Sequence, residues 1–391
     1  MKLGTLQRVA LYIFFFSINF EVWDPFNTGG NFSVAKLTGL LYLLSLIPQF
    51  RYFFRVKNFK RVLTPLFIFF GLLTVISILN INYFSSDFFS FSIFQNIILL
   101  ILLVNHAKKD PGILEKGFVA YALGSVALAF LFYLGIGIEN DGGRISLFGD
   151  NENAIGIRMC ISIIYLLFIV IQNPFKQSVK RYFFLIAIPI MLSILVATGS
   201  RVAIISLSLC FALGLILLKT RKILTKIFIF AIGLLLGYFL YNYILSSGVL
   251  YQRLINSAEN RNWAGRDVIW KSIIPLISNN PVFGVGTTGY ALYTNKIFGE
   301  LTSPHNVVLE VLCYTGIVGF SIYLLFLFRI FKISFLNYRI SGSLIQLLLL
   351  IPILGLLLSG QLLNVKIGWV IFAFVVGAAP LSRTLIKYRN K

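Results

Sequence analysis

The chain has 391 residues, of which 58% are hydrophobic and only 12% are charged, with a net charge of +21. A soluble domain typically has about 45–50% apolar and about 25% charged residues, so the composition excludes an ordinary soluble domain and predicts a protein solvated by lipid. The positive charge does not indicate a nucleic-acid partner, because the basic residues lie in short connections between long apolar segments.

The apolar segments predict an all-α integral membrane protein, a single polytopic domain over residues 1–391 with about 12 transmembrane helices. Each span needs about 20 predominantly apolar residues. We place the spans at 9–21, 34–50, 64–82, 89–105, 113–136, 153–172, 182–198, 202–218, 227–246, 305–328, 342–359 and 366–382.

The distribution of charge predicts the orientation of these spans. The connections after the even-numbered spans, together with both termini, carry 23 of the 34 Lys and Arg residues. The opposite connections, together with Glu21 at the end of the first span, carry 10 of the 13 acidic residues. Loops rich in Lys and Arg stay in the cytoplasm. Both termini are therefore expected inside, and the long polar loop 247–304 is expected outside.

The sequence contains no pattern typical of a metal or cofactor site. The three cysteines, Cys160, Cys210 and Cys313, all lie in predicted spans and are far apart in sequence, which gives no ligand spacing. A GxGxxG pattern at residues 284–289 follows a helical segment and not a strand, so we interpret it as a tight turn and not as a dinucleotide site. No metal and no cofactor are expected.

The outward loop is predicted to contain an amphipathic helix over 266–278. Apolar residues recur there at helical spacing, and Asn279, Asn280 and Pro281 end the pattern. Such a helix is expected at the membrane interface with its apolar face towards lipid. Arg266 lies in its first turn, and Trp270 follows one turn later.

Two arginines are candidate ligands for an anionic group. Arg201 lies at a tight outward turn before a helix, where the helix start adds partial positive charge and a guanidinium can bind phosphate oxygens bidentately. Arg201 could instead be an interfacial arginine whose head reaches the water. Arg266 has the same two interpretations, since it could be an ordinary helix charge paired with Asp267 or Glu259.

His305 and Glu310 are the candidate acid–base groups. His305 opens the tenth predicted span beside Asn306, and imidazole accepts a proton near neutral pH. The alternative interpretation of this segment is helix capping. Glu310 is placed deep in the span, where an ionisable group is a functional candidate. Its alternative role is that of a buried partner for an arginine.

Four segments resemble the bacterial O-antigen ligase/O-antigen polymerase superfamily. GSR at 199–201 precedes GRDVIWKSIIPLISNNPVFGVG at 265–286 and SPHNVVLEVLCYTGIVGF at 303–320. Upstream, RISLFGDNENAIGI at 144–157 resembles the family's R…GxFxNxNA entry to a span, with a slightly shifted spacing. Together these segments cover 57 of the 391 residues, most of them in the second half of the chain.

The resemblance implies glycan transfer from an undecaprenyl-diphosphate-linked oligosaccharide to an acceptor hydroxyl at the outer face of the bacterial inner membrane, without nucleotide sugar or metal. Arg201 and Arg266 would bind the donor diphosphate, and His305 would position or deprotonate the acceptor hydroxyl. The substrate-binding residues implied in addition are Asn306, Glu310, Trp270 and Arg144. Expected partners are the lipid-linked donor and acceptor, the bilayer, and a chain-length regulator and flippase of the same pathway.

Within the superfamily we favour a polymerase, which joins lipid-linked repeat units. The high count of Phe (39) is typical of AT-rich polysaccharide clusters, and Ser303 and Pro304 precede His305 where some ligases have a second histidine. The first alternative is an O-antigen ligase that transfers the glycan to lipid A-core. The second is a non-enzymatic flippase, which would need charges along a path through the bilayer, where only Arg158 and Glu310 are placed.

Overall fold

The computed structural model is built almost entirely of helices. It describes residues 3–29, 32–80, 91–141, 144–172, 179–217, scattered helical positions between 227 and 245, and 266–378. Most of the predicted ninth span and residues 247–265 of the outward loop lie outside this described part, as do residues 379–391.

Fourteen helices can be assigned bounds in the described part of the chain. They are α1 Leu3–Ser17, α2 Val34–Leu46, α3 Phe50–Phe53, α4 Lys60–Leu79, α5 Phe91–Lys109, α6 Ile113–Tyr133, α7 Glu152–Gln172, α8 Val179–Ala197, α9 Arg201–Leu217, α10 Arg266–Asn279, α11 Gly286–Phe298, α12 Val307–Ser341, α13 Ile345–Ser359 and α14 Lys366–Gly377. Short 3₁₀ turns occupy Ile18–Phe20, Ile47–Gln49 and Lys57–Phe59.

Six of the described helical segments are long and apolar enough to cross a membrane. They are Leu3–Phe20, Lys60–Leu79, Phe91–Lys109, Ile113–Tyr133, Glu152–Ile171 and Val307–Ser341. Four shorter apolar helical segments cover Ile186–Ala197, Arg201–Leu217, Ile345–Ser359 and Lys366–Gly377. These helices agree with a multi-pass membrane protein, whereas the count of twelve spans stays a prediction.

A short hairpin and one longer helix depart from the predicted elements. Strands β1 Ile138–Asp141 and β2 Arg144–Leu147 pair as an antiparallel hairpin before α7, in a described structure that is otherwise helical. The basic segment 329–341 was interpreted as a connection, yet it continues α12 as helix to Ser341. A helix that has already begun extends through these residues without the cost of nucleation.

The chain divides into two compact units, which we describe separately. The first contains Met1–Phe53, His106–Glu259 and Gly342–Gly355, and the second contains Phe54–Asn105, Asn260–Ser341 and Leu356–Lys391. In the first unit α7 packs against α6, α8 and α9. In the second unit α12 packs against α4, α10, α11 and α14.

The long helix α12 is interrupted at Gly316, whose φ of 58° and ψ of −162° are not helical. The turn between α10 and α11 supplies hydrogen-bond partners for the backbone groups that lose their helical partners at this interruption. The Ile317 amide donates to the carbonyl of Pro281 at 2.9 Å, and the Cys313 carbonyl accepts from the amide of Val285 at 2.9 Å. Irregular backbone at membrane depth needs such internal partners, because lipid offers none.

Glycine is required where these two segments meet. A Cβ atom on Gly316 would lie 2.4 Å from the Val282 carbonyl carbon, and one on Gly284 would lie 2.5 Å from the Cys313 oxygen. The turn and the interrupted helix therefore approach backbone to backbone. We call this pairing of residues 281–285 with 313–318 the α12 clasp.

Candidate active site

In the first unit, Arg201 is the first residue of α9, at the end of a tight buried turn. Thr198 and Ser200 are buried, and Gly199 between them has a φ of 62°. The Ser200 hydroxyl accepts from the Ala203 amide at 3.4 Å and so caps the helix start. Arg201 itself is partly exposed. As the first residue of α9, it lies in the turn that carries the partial positive charge of the helix.

Arg144 lies next to this turn and is held by three protein groups. Its Nε donates to the Thr198 carbonyl at 3.1 Å, and its Nη2 donates to the Asn153 side-chain oxygen at 3.3 Å. Its Nη1 forms an ion pair with Glu152 at 3.0 Å. Nothing in the sequence pattern identified Glu152 as the partner of Arg144, although both residues belong to the 144–157 segment.

Arg158, one of the two charges placed within the bilayer, is neutralised inside the first unit. Its guanidinium pairs with Asp150 and also with Glu21, at 3.3 Å in the latter case. Two carboxylates against one guanidinium stabilise a buried arginine that would otherwise be too costly. Within the described structure, Arg158 of α7 therefore has Asp150 and Glu21 as structural partners.

In the second unit, α10 covers Arg266–Asn279, the place predicted for an amphipathic helix. Ile273 and Leu276 are buried against Val285, Tyr290 and Cys313. Val268 and Ile274 stay more than half exposed, at 56% and 52%. These two exposed side chains lie apart on the helix surface, with Asp267 and Lys271 between them, so the apolar face of α10 is the one that packs on the second unit, and a position at the membrane interface stays a prediction.

The segment that carries His305 is fixed by α10 and α11. The Trp270 indole N–H donates to the Pro304 carbonyl at 2.8 Å, and the Tyr290 hydroxyl donates to the Thr302 carbonyl at 2.8 Å. Both acceptors lie within three residues of His305. The sequence pattern indicated Trp270 but not Tyr290. Tyr290 is a single tyrosine beside a predicted turn, and nothing in its neighbourhood distinguishes it.

His305 has an unusual, left-handed backbone conformation. Its φ of 48° lies in the left-handed region, which costs a non-glycine residue about 1–3 kcal/mol and is concentrated at functional sites. Its amide donates to the Ser303 hydroxyl at 3.1 Å. Burial, and then the positive charge of Arg266, lower the pKa of the His305 imidazole below its ordinary value. Arg266 and His305 are therefore electrostatic neighbours, and the imidazole is neutral at pH 7.

Asn306 caps the long helix that follows. Its side-chain oxygen accepts from the amides of Val308 and Leu309, at 3.0 and 3.3 Å. This is the capping interpretation that the sequence left open. The capping oxygen of Asn306 is thus engaged by the backbone, and a contact with substrate stays a prediction.

Glu310 is buried in α12, and its contact within the described residues is with a tyrosine and not with an arginine. The Tyr314 hydroxyl donates to Glu310 Oε1 at 3.0 Å, while Oε2 has no partner among the described groups. The Tyr314 ring in turn packs edge to face on Tyr290 at 5.3 Å. The Glu310–Tyr314 spacing of four residues puts both on one helix face, which was the available signal for this pair.

The structure thus brings together two groups of candidate residues. Arg266, Trp270, His305, Asn306 and Glu310 belong to the second unit, and Arg144 and Arg201 belong to the first. That Arg201, Arg266 and His305 act together on one donor and acceptor stays a prediction. Among the described residues no group of His, Cys, Asp and Glu has the arrangement of a metal site.

The comparisons with known proteins agree with the resemblance in part of the chain. The family model described as O-antigen ligase matches residues 186–324, which include Arg201, Arg266, the α12 clasp and His305. No curated protein matched the chain. Members of this family are membrane glycosyltransferase-like enzymes that carry out ligase- or polymerase-type glycan transfer. The match supports the assignment of this chain to the O-antigen ligase/polymerase superfamily.

Proposed function

We propose that the protein polymerises undecaprenyl-diphosphate-linked oligosaccharide repeat units into O-antigen or a related surface polysaccharide, at the outer face of the inner membrane. The observation that carries the proposal is His305, a neutral imidazole held in a left-handed backbone conformation beside the charge of Arg266. A base next to a fixed cation suits a transfer that deprotonates an acceptor while an anionic leaving group departs.

The chemistry follows from these two side chains. An acceptor hydroxyl oxygen attacks the anomeric carbon of the donor sugar, and the bond from that carbon to the diphosphate oxygen breaks. His305 accepts the hydroxyl proton, for which a neutral imidazole is required. Arg266 contacts the diphosphate oxygens and stabilises the negative charge that grows on them. The products are a lengthened glycan and undecaprenyl diphosphate.

Arg201 is proposed as the second cation for the diphosphate. Its place at the start of α9 adds the partial positive charge of a helix N-terminus to that of the guanidinium. Both arginines stay charged at any physiological pH. In this proposal the positive side chains supply the charge stabilisation that a divalent metal supplies in other glycosyltransferases.

The second candidate function is that of a ligase, which the description of the matching family favours. A ligase uses the same donor but transfers the finished glycan to lipid A-core. The absence of a histidine at residue 304, where Pro304 stands, favours the polymerase. A gene deletion separates the two: single repeat units on the surface support a polymerase, and loss of all glycan from lipid A-core supports a ligase.

A transfer assay tests the catalytic proposal directly. Purified protein in nanodiscs receives undecaprenyl-diphosphate-linked repeat units in the presence of a chelator. We expect polymer from the native protein, a loss of at least about 100-fold from His305→Ala, and an intermediate loss from Arg266→Lys, which keeps the charge but lacks the planar fork. Near-native polymer from His305→Ala would remove His305 from the chemistry, and activity that required added Mg²⁺ would overturn the metal-free mechanism.

A further inference from the structure

The guanidinium of Arg144 is engaged by protein groups on all three of its nitrogens. Nε, Nη1 and Nη2 contact Thr198, Glu152 and Asn153, at 3.1, 3.0 and 3.3 Å. A guanidinium binds a diphosphate through the same fork of N–H donors. Three of the five N–H donors of Arg144 are thus used by an acid, an amide and a backbone carbonyl, which indicates a task other than direct contact with substrate.

That task is indicated by the acceptor on Nε. The Thr198 carbonyl belongs to the turn 198–200, which ends where Arg201 begins α9. The Thr198 hydroxyl donates back to the Leu195 carbonyl at 2.7 Å, so the turn is tied to α8 as well. Arg144 adds a second connection, from strand β2 to the same turn.

Close packing under the turn reinforces this arrangement. A Cβ atom on Gly156 of α7 would lie 2.8 Å from the Ser200 Cβ and 3.0 Å from the Thr198 hydroxyl oxygen. The segment between β2 and α7 is itself anchored, since Asp150 pairs with the buried Arg158. The turn that presents Arg201 therefore rests on a support built from residues 144–158.

We propose that Arg144 and Glu152 form a positioning pair that fixes the turn carrying Arg201, and that Arg144 is not a ligand of the donor diphosphate. The inference rests on the proposed role of Arg201 for its functional consequence, but its structural part does not. Glu152 holds the guanidinium in the one orientation that lets Nε reach the Thr198 carbonyl, and the turn then sets the direction of the Arg201 side chain.

Glu152→Gln separates positioning from ligand binding, because the two roles predict opposite results. If Arg144 were a ligand, removing its carboxylate partner would leave the guanidinium more available to phosphate, and transfer would be kept or increased. If the pair positions Arg201, the same change releases the turn. We then expect kcat to fall severalfold, with a smaller change in KM for the donor than Arg201→Gln produces.

A readout independent of activity follows the turn itself. Arg201→Cys is labelled with a maleimide in detergent, alone and combined with Glu152→Gln or with Arg144→Gln/Glu152→Gln. The double change avoids leaving a buried carboxylate without its cation. We expect severalfold faster labelling with either combination, whether or not the proposed glycan transfer is correct.

Glu139→Gln is the matched control, because Glu139 lies on the same hairpin but contacts Ser146 and not Arg144. It should leave both the labelling rate and the transfer unchanged. Unaltered labelling of Arg201→Cys in both combinations would overturn the positioning role. Weaker donor binding by Arg144→Gln/Glu152→Gln, with unaltered labelling, would make Arg144 a ligand instead.

Discussion

The Trp270 indole nitrogen donates a hydrogen bond of 2.8 Å to the carbonyl of Pro304, the residue directly before His305. The α10 helix thereby holds the backbone beside the candidate base. Because Pro304 has no amide proton and is buried, its carbonyl is the group through which the backbone at this point can be held.

Trp270→Phe should reduce glycan transfer by up to about 100-fold, since a displacement of about 1 Å at a catalytic group can cost that much. A phenyl ring keeps part of the apolar packing of the indole, so the protein should still fold, with about 1–3 kcal/mol lost from leaving a buried carbonyl without a donor. The transfer assay on purified protein measures the rate.

Tyr293→Phe is the control for that change. Its hydroxyl donates to the Ser272 carbonyl at 2.8 Å and so ties α11 to α10 without contacting the 302–305 segment. It should leave transfer near the native rate. Equal losses from the two variants would show that general packing of α10, and not the support of Pro304, controls the activity.

The pKa of His305 should respond to Arg266. Burial and the Arg266 charge both lower it, so the imidazole stays neutral to a pH below the ordinary value of about 6.5. Activity that needs the neutral imidazole should therefore persist as the pH falls to about 6.5 and be lost only at lower pH. Arg266→Gln removes one of the two causes and should raise the pKa, which moves the acid limb to higher pH.

Modification by diethylpyrocarbonate, which reacts with neutral imidazole, measures this pKa without any substrate. The His305 peptide is followed by mass spectrometry across pH in the native protein and in Arg266→Gln. Lys271→Gln serves as control, since Lys271 lies on the same helix but is not among the groups that lower the pKa. An unchanged His305 pKa in Arg266→Gln would show that the Arg266 charge does not act on the imidazole.

Gly316→Ala should destabilise the fold more than an ordinary glycine replacement. Gly316 has a φ of 58°, and a Cβ there would lie 2.4 Å from Val282. Gly342 has a similar φ of 75° but no atom within 4 Å of its Cβ position. Gly342→Ala should cost about 1–2 kcal/mol from backbone conformation alone, and Gly316→Ala about 1–3 kcal/mol more from the clash.

The three buried cysteines provide the measurement for that comparison. A thiol-reactive dye reports their exposure as the protein is heated. We expect a larger decrease of Tm for Gly316→Ala than for Gly342→Ala. Similar Tm values would mean that the α12 clasp can open to accept a side chain.

The predicted orientation can be tested with single cysteines in intact cells. Lys57→Cys should be protected from a membrane-impermeant maleimide, because its connection is basic and expected in the cytoplasm. Glu300→Cys should be labelled, because it lies in the outward loop. Labelling of Lys57→Cys from outside would reverse the topology and with it the periplasmic placement of His305.

Periodicity and charge predicted those features that depend on neighbouring residues alone. The α10 helix at Arg266–Asn279 follows from apolar spacing and its Asn279–Pro281 end. The β-hairpin was missed, although Asp141-Gly142 is a hairpin signal, because the surrounding segment was interpreted as loop. The helical extension to Ser341 was missed because basic residues were interpreted as a connection.

Contacts between distant segments could not be predicted in this way. The tie between Arg144 and Thr198 joins residues 54 apart in the chain, and neither residue type indicates the other. Glu310 contacts Tyr314 and not an arginine, the partner of the alternative interpretation, because a hydroxyl one helical turn away can donate to a buried carboxyl. The motif order located the candidate residues, while their partners required the fold.

The α12 clasp also constrains how this half of the protein enters the membrane. A helix that inserted with Gly316 already broken would expose the Ile317 amide and the Cys313 carbonyl to lipid, each at a cost of several kcal/mol. The groups that satisfy them come from residues 281–285, which are synthesised before α12. The interruption at Gly316 can therefore form without that cost only when residues 281–285 already lie against α12, which couples the break in this helix to the folding of the turn before it.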